Sequence, residues 1–164
     1  MSTSTASATT FLRRGLLAIA ALTTAGVTVE LAVERHWTQP IQLVAWAAVA
    51  ALAVAIILVW GARSAARIQI ARLLAAAVVL SAIVGLGAHT YANYDAGALD
   101  RRYASTWETL PDATRWVLAI TKSVGPSPPF APGALAEAAL MVLLATWQHP
   151  AITKEASTQQ DQPA

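Results

Sequence analysis

The feature that most constrains this sequence is an apolar segment over residues 41–60 that contains no charged residue. An α-helix of about twenty apolar residues is long enough to cross the hydrocarbon core of a bilayer. The chain as a whole has 56% hydrophobic and only 12% charged residues, whereas soluble domains contain about 25% charged residues. The segment therefore predicts a membrane-spanning helix in an integral membrane protein.

Three further segments predict membrane spans, over residues 15–36, 70–92 and 132–147, the last being the shortest. Pro40 separates the first span from the second, because proline stops one helix or begins the next. A cleaved secretory signal is the alternative for the first span. Its apolar run is longer than the roughly 7–15 residues of a signal core, and no clean Ala-x-Ala site follows it, so an uncleaved anchor is preferred.

A long connection over residues 93–127 precedes the fourth span. Within it, Trp116, Val117 and Ile120 fall on one side of a short helical segment. This pattern predicts an amphipathic helix on the membrane surface. An ordered loop with aromatic contacts is the alternative interpretation.

Both ends of the chain predict disordered tails, over residues 1–10 and 151–164, because neither has an apolar periodicity. Residues 11–150 between them form the predicted domain. The predicted fold class is an all-α integral membrane protein. It is an up-down bundle of four transmembrane helices plus a short amphipathic surface helix in the third connection.

Positive charges near the span ends predict the orientation of this bundle. Short cytoplasmic loops are enriched in Lys and Arg, whereas long loops count for little. One side of the predicted bundle carries Arg13, Arg14, Arg63, Arg67, Arg72 and Lys154. Both termini are therefore predicted to be cytoplasmic and the long connection external. The alanine-rich composition is typical of a bacterial source, so the expected location is the bacterial inner membrane.

Several classes of function find no support in the sequence. The chain contains no cysteine, which excludes disulfides, thiolate metal sites and a thiol nucleophile. A formal charge of +2 is too small to indicate nucleic-acid binding. The sequence contains no glycine-rich phosphate loop, no His-Glu-x-x-His motif and no suggestive Ser-His-Asp arrangement. An enzyme is not the favoured interpretation, and neither a cofactor nor a metal is assigned.

Five ionisable residues near the outer end of the predicted bundle form the candidate polar site: Glu30, Glu34, His36, His89 and Glu137. Glu30 is expected about 9 Å below the outer end of its helix, His89 about 4–5 Å and Glu137 about 7–8 Å. Ionisable groups within a membrane usually face a helix bundle or a water-filled cavity. Two carboxylates and an imidazole could hold a divalent cation, pass protons or bind a quinone-like head group.

The alternative interpretation of these residues is structural. Glu34 then pairs with Arg35 or Arg101 at the membrane interface. His89 hydrogen-bonds across helices, and Glu137 stabilises the start of its helix through the helix dipole.

Small and polar residues at regular spacing predict which helix faces meet. Ala47, Ala51 and Ala55 form one such face in the second span. The other three stripes are Thr23, Gly26, Glu30 and Glu34; Ser81, Gly85, His89 and Asn93; and Gly133, Glu137 and Met141.

Two hypotheses for function follow. The preferred one is a non-catalytic accessory, assembly or interaction subunit whose partners are the lipid bilayer and other membrane subunits or a second copy of the chain. The alternative is a small transporter or membrane redox component that uses Glu30, His89 and Glu137. The two differ in whether these three side chains converge.

Overall fold

The computed structural model describes residues 3–153, which form α-helices and two 3₁₀ turns, with no strand among them. The α-helices are α1 (Thr3–Val33), α2 (Leu43–Trp60), α3 (Ala65–Gly97), α4 (Asp112–Ile120) and α5 (Gly133–Ala145). In the described chain, three helical segments are long and apolar enough to cross a membrane: Ser7–Val33, Pro40–Trp60 and Ala65–Gly97. The predicted all-helical fold is therefore confirmed, and α5 is a shorter apolar helix.

The chain divides into two compact units, and α3 contributes to both. Within the described residues, the first unit comprises residues 3–81 and 134–153, and the second comprises Ala82–Gly133. Each unit has an apolar core of its own.

Four helices supply the core of the first unit, each through one stripe of apolar residues. Core positions in a helix recur every three or four residues, so the same helix turns its opposite face outward. The core includes Leu17, Ala20 and Leu31 of α1, Leu52, Ala55 and Val59 of α2, Ile68, Ala71 and Val78 of α3, and Ala138, Ala139 and Val142 of α5.

The outward faces of the long helices are also apolar. Leu22, Ile57 and Leu73 are 76%, 69% and 72% exposed. Soluble monomers seldom expose large contiguous apolar patches, whereas a lipid environment accepts them. The exposed surface therefore agrees with the membrane class that helix length indicates.

The alanine face predicted for α2 coincides only in part with its buried face. Ala55 is fully buried and Ala51 is partly buried against the core, but Ala47 is exposed. The buried stripe instead runs through Ala48 and Leu52. Nearly every position of α2 is apolar, so alanine spacing carries little information about how the helix is rotated.

α1 ends at Val33, before residue 36 where the first span was predicted to end. The backbone N–H of Arg35 donates to the carbonyl of Ala32 at 3.1 Å, and that of His36 donates to the carbonyl of Leu31 at 2.9 Å. This pair of bonds is the Schellman motif, in which a left-handed residue, usually glycine, stops a helix. Arg35 occupies that position with φ 52°, so the usual glycine signal is absent from the sequence.

The described residues within the two predicted disordered tails are helical. α1 begins at Thr3, so the described part of residues 1–10 is helical. This segment contains neither Gly nor Pro, and Ser, Thr and Ala allow a helix to continue. At the other end, residues 150–153 form a helical turn. Most of the predicted tail over residues 151–164 lies outside the described residues, as do residues 1–2.

α3 continues to Gly97, so the expected start of the long connection at residue 93 is wrong. Asn93 is fully buried. Its Nδ2 donates to the carbonyls of Ala119 at 3.1 Å and Ser127 at 2.7 Å, and its Oδ1 accepts from the Ser127 N–H at 2.9 Å. Because the Asn93 amide has these partners within the protein, it does not need to face water. The helix therefore continues past Asn93.

Aromatic rings pack the connection after α3 onto the end of that helix in the second unit. Trp107 is buried and meets Tyr94 edge-on, with 5.6 Å between ring centroids. Tyr94 also stacks on Trp116 of α4 at 4.5 Å. A helix thus forms where one was predicted, with the aromatic contacts of the alternative interpretation. Its position on a membrane surface stays a prediction.

Candidate functional site

The three predicted carboxylates lie on exposed surfaces of the first unit. Glu30 lies in α1, Glu34 directly follows that helix, and Glu137 lies in α5. All three side chains are exposed. Glu30, which was expected to face a neighbouring helix, is therefore open to the surroundings of the chain.

The salt bridges of residues 3–153 lie within the second unit and are Arg102–Asp100, Arg115–Glu108 and Arg115–Asp112. A hydrogen bond from Arg102 lowers the pKa of the Asp100 carboxyl to about 2. Glu34 belongs to none of these pairs, so its expected pairing with Arg35 or Arg101 is not present in the described chain.

His36 lies at the turn between α1 and α2. Its side chain is half-buried, and its carbonyl accepts a hydrogen bond from Nε1 of Trp46 at 2.7 Å. The ring of Trp46 also approaches that of Trp37, with 6.0 Å between centroids. The main chain at His36 therefore helps to close this turn.

His89 lies in the part of α3 that belongs to the second unit. Its Nδ1 is 2.8 Å from the carbonyl oxygen of Pro128. A carbonyl only accepts, so Nδ1 carries the hydrogen and donates it. In the neutral ring the lone pair is then on Nε2, an arrangement that metal-binding histidines commonly show.

Convergence of the five residues stays a prediction. His89 belongs to the second unit, and Glu30, Glu34, His36 and Glu137 belong to the first. Among residues 3–153, no group of three His, Asp or Glu side chains could hold a metal ion.

Three residues of the predicted stripe in α3, Gly85, His89 and Asn93, have neighbours within the second unit. An added Cβ at Gly85 would lie 2.8 Å from the ring of Pro132. His89 and Asn93 hydrogen-bond to Pro128 and Ser127. These contacts join α3 to the segment before α5, and a further bond from Asn93 reaches the carbonyl of Ala119 in α4. The stripe therefore identified a packed face, but its partners are a connecting segment and a short helix rather than another long helix.

A polar cluster that the sequence pattern did not indicate lies at the C-terminal end of α5. Arg13 of α1 donates from Nε to the carbonyl of Ala145 at 2.8 Å. Arg72 of α3 donates from Nε to the Thr146 hydroxyl at 3.0 Å and from Nη2 to the Thr146 carbonyl at 2.8 Å. The last carbonyls of a helix lack partners within it and carry partial negative charge. The two guanidinium groups therefore stabilise this end of α5.

His149 completes this group, which we call the arginine cluster: Arg13, Arg72, Thr146 and His149. The His149 side chain is buried. Its Nδ1 accepts a hydrogen bond from the N–H of Ala151 at 3.2 Å, so Nδ1 carries no hydrogen. Burial, together with the positive charges of Arg13 and Arg72, lowers the pKa of His149 below its ordinary value. A neutral imidazole therefore accompanies the two cations.

A signal for the arginine cluster was present in the sequence. The sequence analysis used Arg13 and Arg72 only as charges that predict topology, and His149 lies just after the predicted fourth span. A helix C-terminus attracts cations, so arginines at the same end of two other spans indicate such a contact. The pairing itself joins residues 132 and 74 positions apart, which local spacing does not predict.

No protein-family profile matches the chain, and no curated protein or solved structure is similar to it. The class of protein therefore comes from the fold itself. It is a helical protein with three helices of membrane-crossing length and composition, as in an integral membrane protein. No activity is carried over from a relative.

Proposed function

We propose that this protein is a non-catalytic subunit of the bacterial inner membrane that crosses the bilayer four times and binds a partner helix along the outward face of α1. Its function is accessory: it supports the assembly or stability of the complex that it joins. The partner is another membrane subunit or a second copy of the chain. The observation that carries the proposal is Glu30, an exposed carboxylate in a long apolar helix.

The arginine cluster supports a fourth crossing by α5. Its hydrogen bonds bring Arg13, Arg72 and Thr146 to one level. From that level α5 extends over 13 residues, which is about 20 Å. It packs in the same core as α1, α2 and α3. A short span of this kind is accommodated by local thinning of the bilayer.

Charge supports an orientation with both termini in the cytoplasm. The level that carries Arg13 and Arg72 is the basic side of the chain, which also includes Arg14, Arg63 and Arg67. Such enrichment is typical of cytoplasmic span ends. Reporter fusions at residue 110 and at the C-terminus should give opposite signals, and equal signals would contradict the four-span topology.

The outward face of α1 has the features of a helix-binding surface. We define the α1 face as Leu22, Gly26, Val29 and Glu30. Leu22 and Val29 are exposed, and an added Cβ at Gly26 would meet nothing within 4 Å. A small residue with open space beside it allows another helix to approach closely.

Glu30 makes binding of a partner helix to this surface energetically favourable. Glu30 lies three residues before the end of α1 at Val33, so its cost as an ionised side chain in a bilayer is below the roughly 2.5–3.5 kcal/mol that insertion scales give at a helix centre. In the described chain, the salt bridges involve other residues. A partner helix that brings a hydrogen-bond donor or a cation to this level removes the cost.

Substitution of Glu30 tests the proposal. Purification of the full chain in mild detergent, followed by identification of the bound chains, measures partner retention. Glu30→Leu is expected to lose most of the partner, and Glu30→Gln, which keeps hydrogen bonding, to lose less. Glu34→Gln, at an exposed position next to the helix end, is the matched control and should retain the partner. Equal retention in all variants would contradict the proposal.

A second candidate function, a small transporter or membrane redox component, is favoured by one observation. The hydrogen bond from His89 to Pro128 fixes the tautomer of the neutral ring, as a metal-binding or proton-accepting imidazole requires. Metal analysis of the purified protein tests it. Bound metal in the wild type that is lost in His89→Gln would favour this function over the preferred one.

A further inference from the structure

The arginine cluster contains two guanidinium groups, and no carboxylate of residues 3–153 forms a salt bridge with it. Arg13 and Arg72 donate to adjacent residues, Ala145 and Thr146, so their charges lie near each other. Neither arginine belongs to a salt bridge of the described chain. Like charges repel, and the repulsion is weakly screened next to a low-dielectric bilayer. An anion at this position would relieve it.

The described acids of the first unit are too far along their helices to serve as that anion. Glu30 is about 25 Å from Arg13 along α1, by the helical rise per residue. Glu137 is about 12 Å from Ala145 along α5 by the same measure. Glu34 lies beyond the end of α1. None of these acids is therefore positioned to neutralise the arginine cluster.

Exposed apolar residues are sequence neighbours of three members of the arginine cluster. Leu12 precedes Arg13 and Leu73 follows Arg72, and these leucines are 64% and 72% exposed. Trp147, directly after Thr146, is 72% exposed. Exposed tryptophan is enriched at the level of lipid head groups. This surface offers contacts to a ligand with acyl chains, and a small soluble anion would leave them unused.

From this arrangement we propose that the arginine cluster binds the phosphate of an anionic phospholipid, with the acyl chains against the apolar surface of α1 and α3. The inference rests on the membrane insertion in the proposed function, but not on partner binding through the α1 face. The bound lipid would lie at the level of the C-terminal end of α5.

The chemistry of the two arginines suits a phosphate. A guanidinium group presents planar, parallel N–H donors that match phosphate oxygens, and charge-assisted bonds of this kind are stronger than neutral ones. Within residues 3–153, Arg13 donates from Nε to Ala145, and its terminal amino groups would supply the donors to the phosphate. Basic pockets between transmembrane helices bind anionic head groups in this way.

Native mass spectrometry of the full chain in detergent tests the inference. The wild type is expected to retain phosphatidylglycerol at least about tenfold more than phosphatidylcholine, a preference of about 1.4 kcal/mol. Arg13→Gln should remove this preference. Arg63→Gln, which removes the same charge from the adjacent loop, should keep it. Equal loss in the two variants, or no preference in the wild type, would overturn the inference.

Two further experiments distinguish a lipid phosphate from free phosphate, and a loss of lipid binding from a loss of folding. An equal concentration of inorganic phosphate should leave the bound lipid in place, and its displacement would show that the site takes free phosphate. If Arg13→Gln does not fold, Arg13→Lys decides. Lysine keeps the charge but loses the planar fork, so a reduced lipid preference supports the inference and an unchanged preference contradicts it.

The two proposals can fail separately. Loss of lipid preference in a wild-type protein that still retains its partner overturns the lipid site alone. Loss of partner retention in a protein that still selects phosphatidylglycerol overturns partner binding through the α1 face and leaves the lipid site intact.

Discussion

Arg72 is joined to Thr146 by two hydrogen bonds, one from Nε to the hydroxyl at 3.0 Å and one from Nη2 to the carbonyl at 2.8 Å. Thr146 is buried, and its hydroxyl in turn donates to the carbonyl of Leu143 at 2.6 Å. The hydroxyl thus accepts from Arg72 and donates within the last turn of α5. These bonds tie the end of a short helix to a long one.

The first prediction concerns this pair. Arg72→Gln is expected to lower the free energy of unfolding by about 2–3 kcal/mol, because it leaves a buried carbonyl and hydroxyl without a charged donor. Thr146→Val removes only the hydroxyl and should cost about 1 kcal/mol. Unfolding in detergent measures both. Arg67→Gln is the control, since Arg67 is exposed and makes one bond to the carbonyl of Gly61. A cost for Arg72→Gln no larger than for this control would contradict the role of the pair.

The second prediction is a pH dependence from His149. Its pKa in the folded protein is below the ordinary 6.5, whereas the unfolded chain has the ordinary value. Above pH 6.5 both states are neutral, and below it the unfolded chain binds a proton that the folded protein does not. Stability should therefore fall as the pH decreases from 6.5.

His149→Gln provides the comparison for this pH dependence. Glutamine keeps an acceptor for the N–H of Ala151 but does not titrate. The variant should lose less stability than the wild type between neutral and mildly acidic pH. Parallel unfolding profiles for the two proteins would show that His149 is not responsible.

The third prediction compares two glycines of α3. An added Cβ at Gly97 would overlap the ring of Trp107, whereas one at Gly87 would meet nothing within 4 Å. Gly97→Ala should displace the tryptophan and destabilise the second unit, with a changed near-UV circular dichroism signal. Gly87→Ala should stabilise α3 by about 0.5–1 kcal/mol, because alanine is the better helix former. Unchanged aromatic spectra in Gly97→Ala would contradict the Trp107 contact.

The fourth prediction concerns the rotation of α2. Ala55→Leu should cost about 1–3 kcal/mol through overpacking, because Ala55 is fully buried in the core. Ala47→Leu should cost almost nothing, because Ala47 is exposed on the same helix. Ala51→Leu should fall between them. Thermal unfolding in detergent gives the order of the three costs. A larger cost at Ala47 than at Ala55 would show that α2 turns Ala47 rather than Ala55 toward the core.

The long helices could be predicted from composition, because a helix that crosses a membrane must consist largely of apolar residues. The second span was expected over residues 41–60, and α2 is Leu43–Trp60. The face that α2 turns inward was predicted less well. Its surface is apolar all round, and lipid and protein accept the same residues.

Polar contacts were harder to predict because they depend on residues far apart in the sequence. Asn93 was expected to open a loop, yet its acceptors lie 26 and 34 residues away, at Ala119 and Ser127. The bond from Arg13 to Ala145 spans 132 residues. The end of α1 was missed for a local reason, since Arg35 stands where glycine is the usual signal.

Photo-crosslinking in the native membrane tests the proposed partner helix most directly. Val29 on the α1 face and Leu80 on α3 are both 63% exposed, so a photoreactive amino acid at either position is equally accessible. We predict a discrete cross-linked protein product from residue 29, lost on Glu30→Leu, and no such product from residue 80. The absence of a product from residue 29, or equal products from both positions, would contradict partner binding through α1.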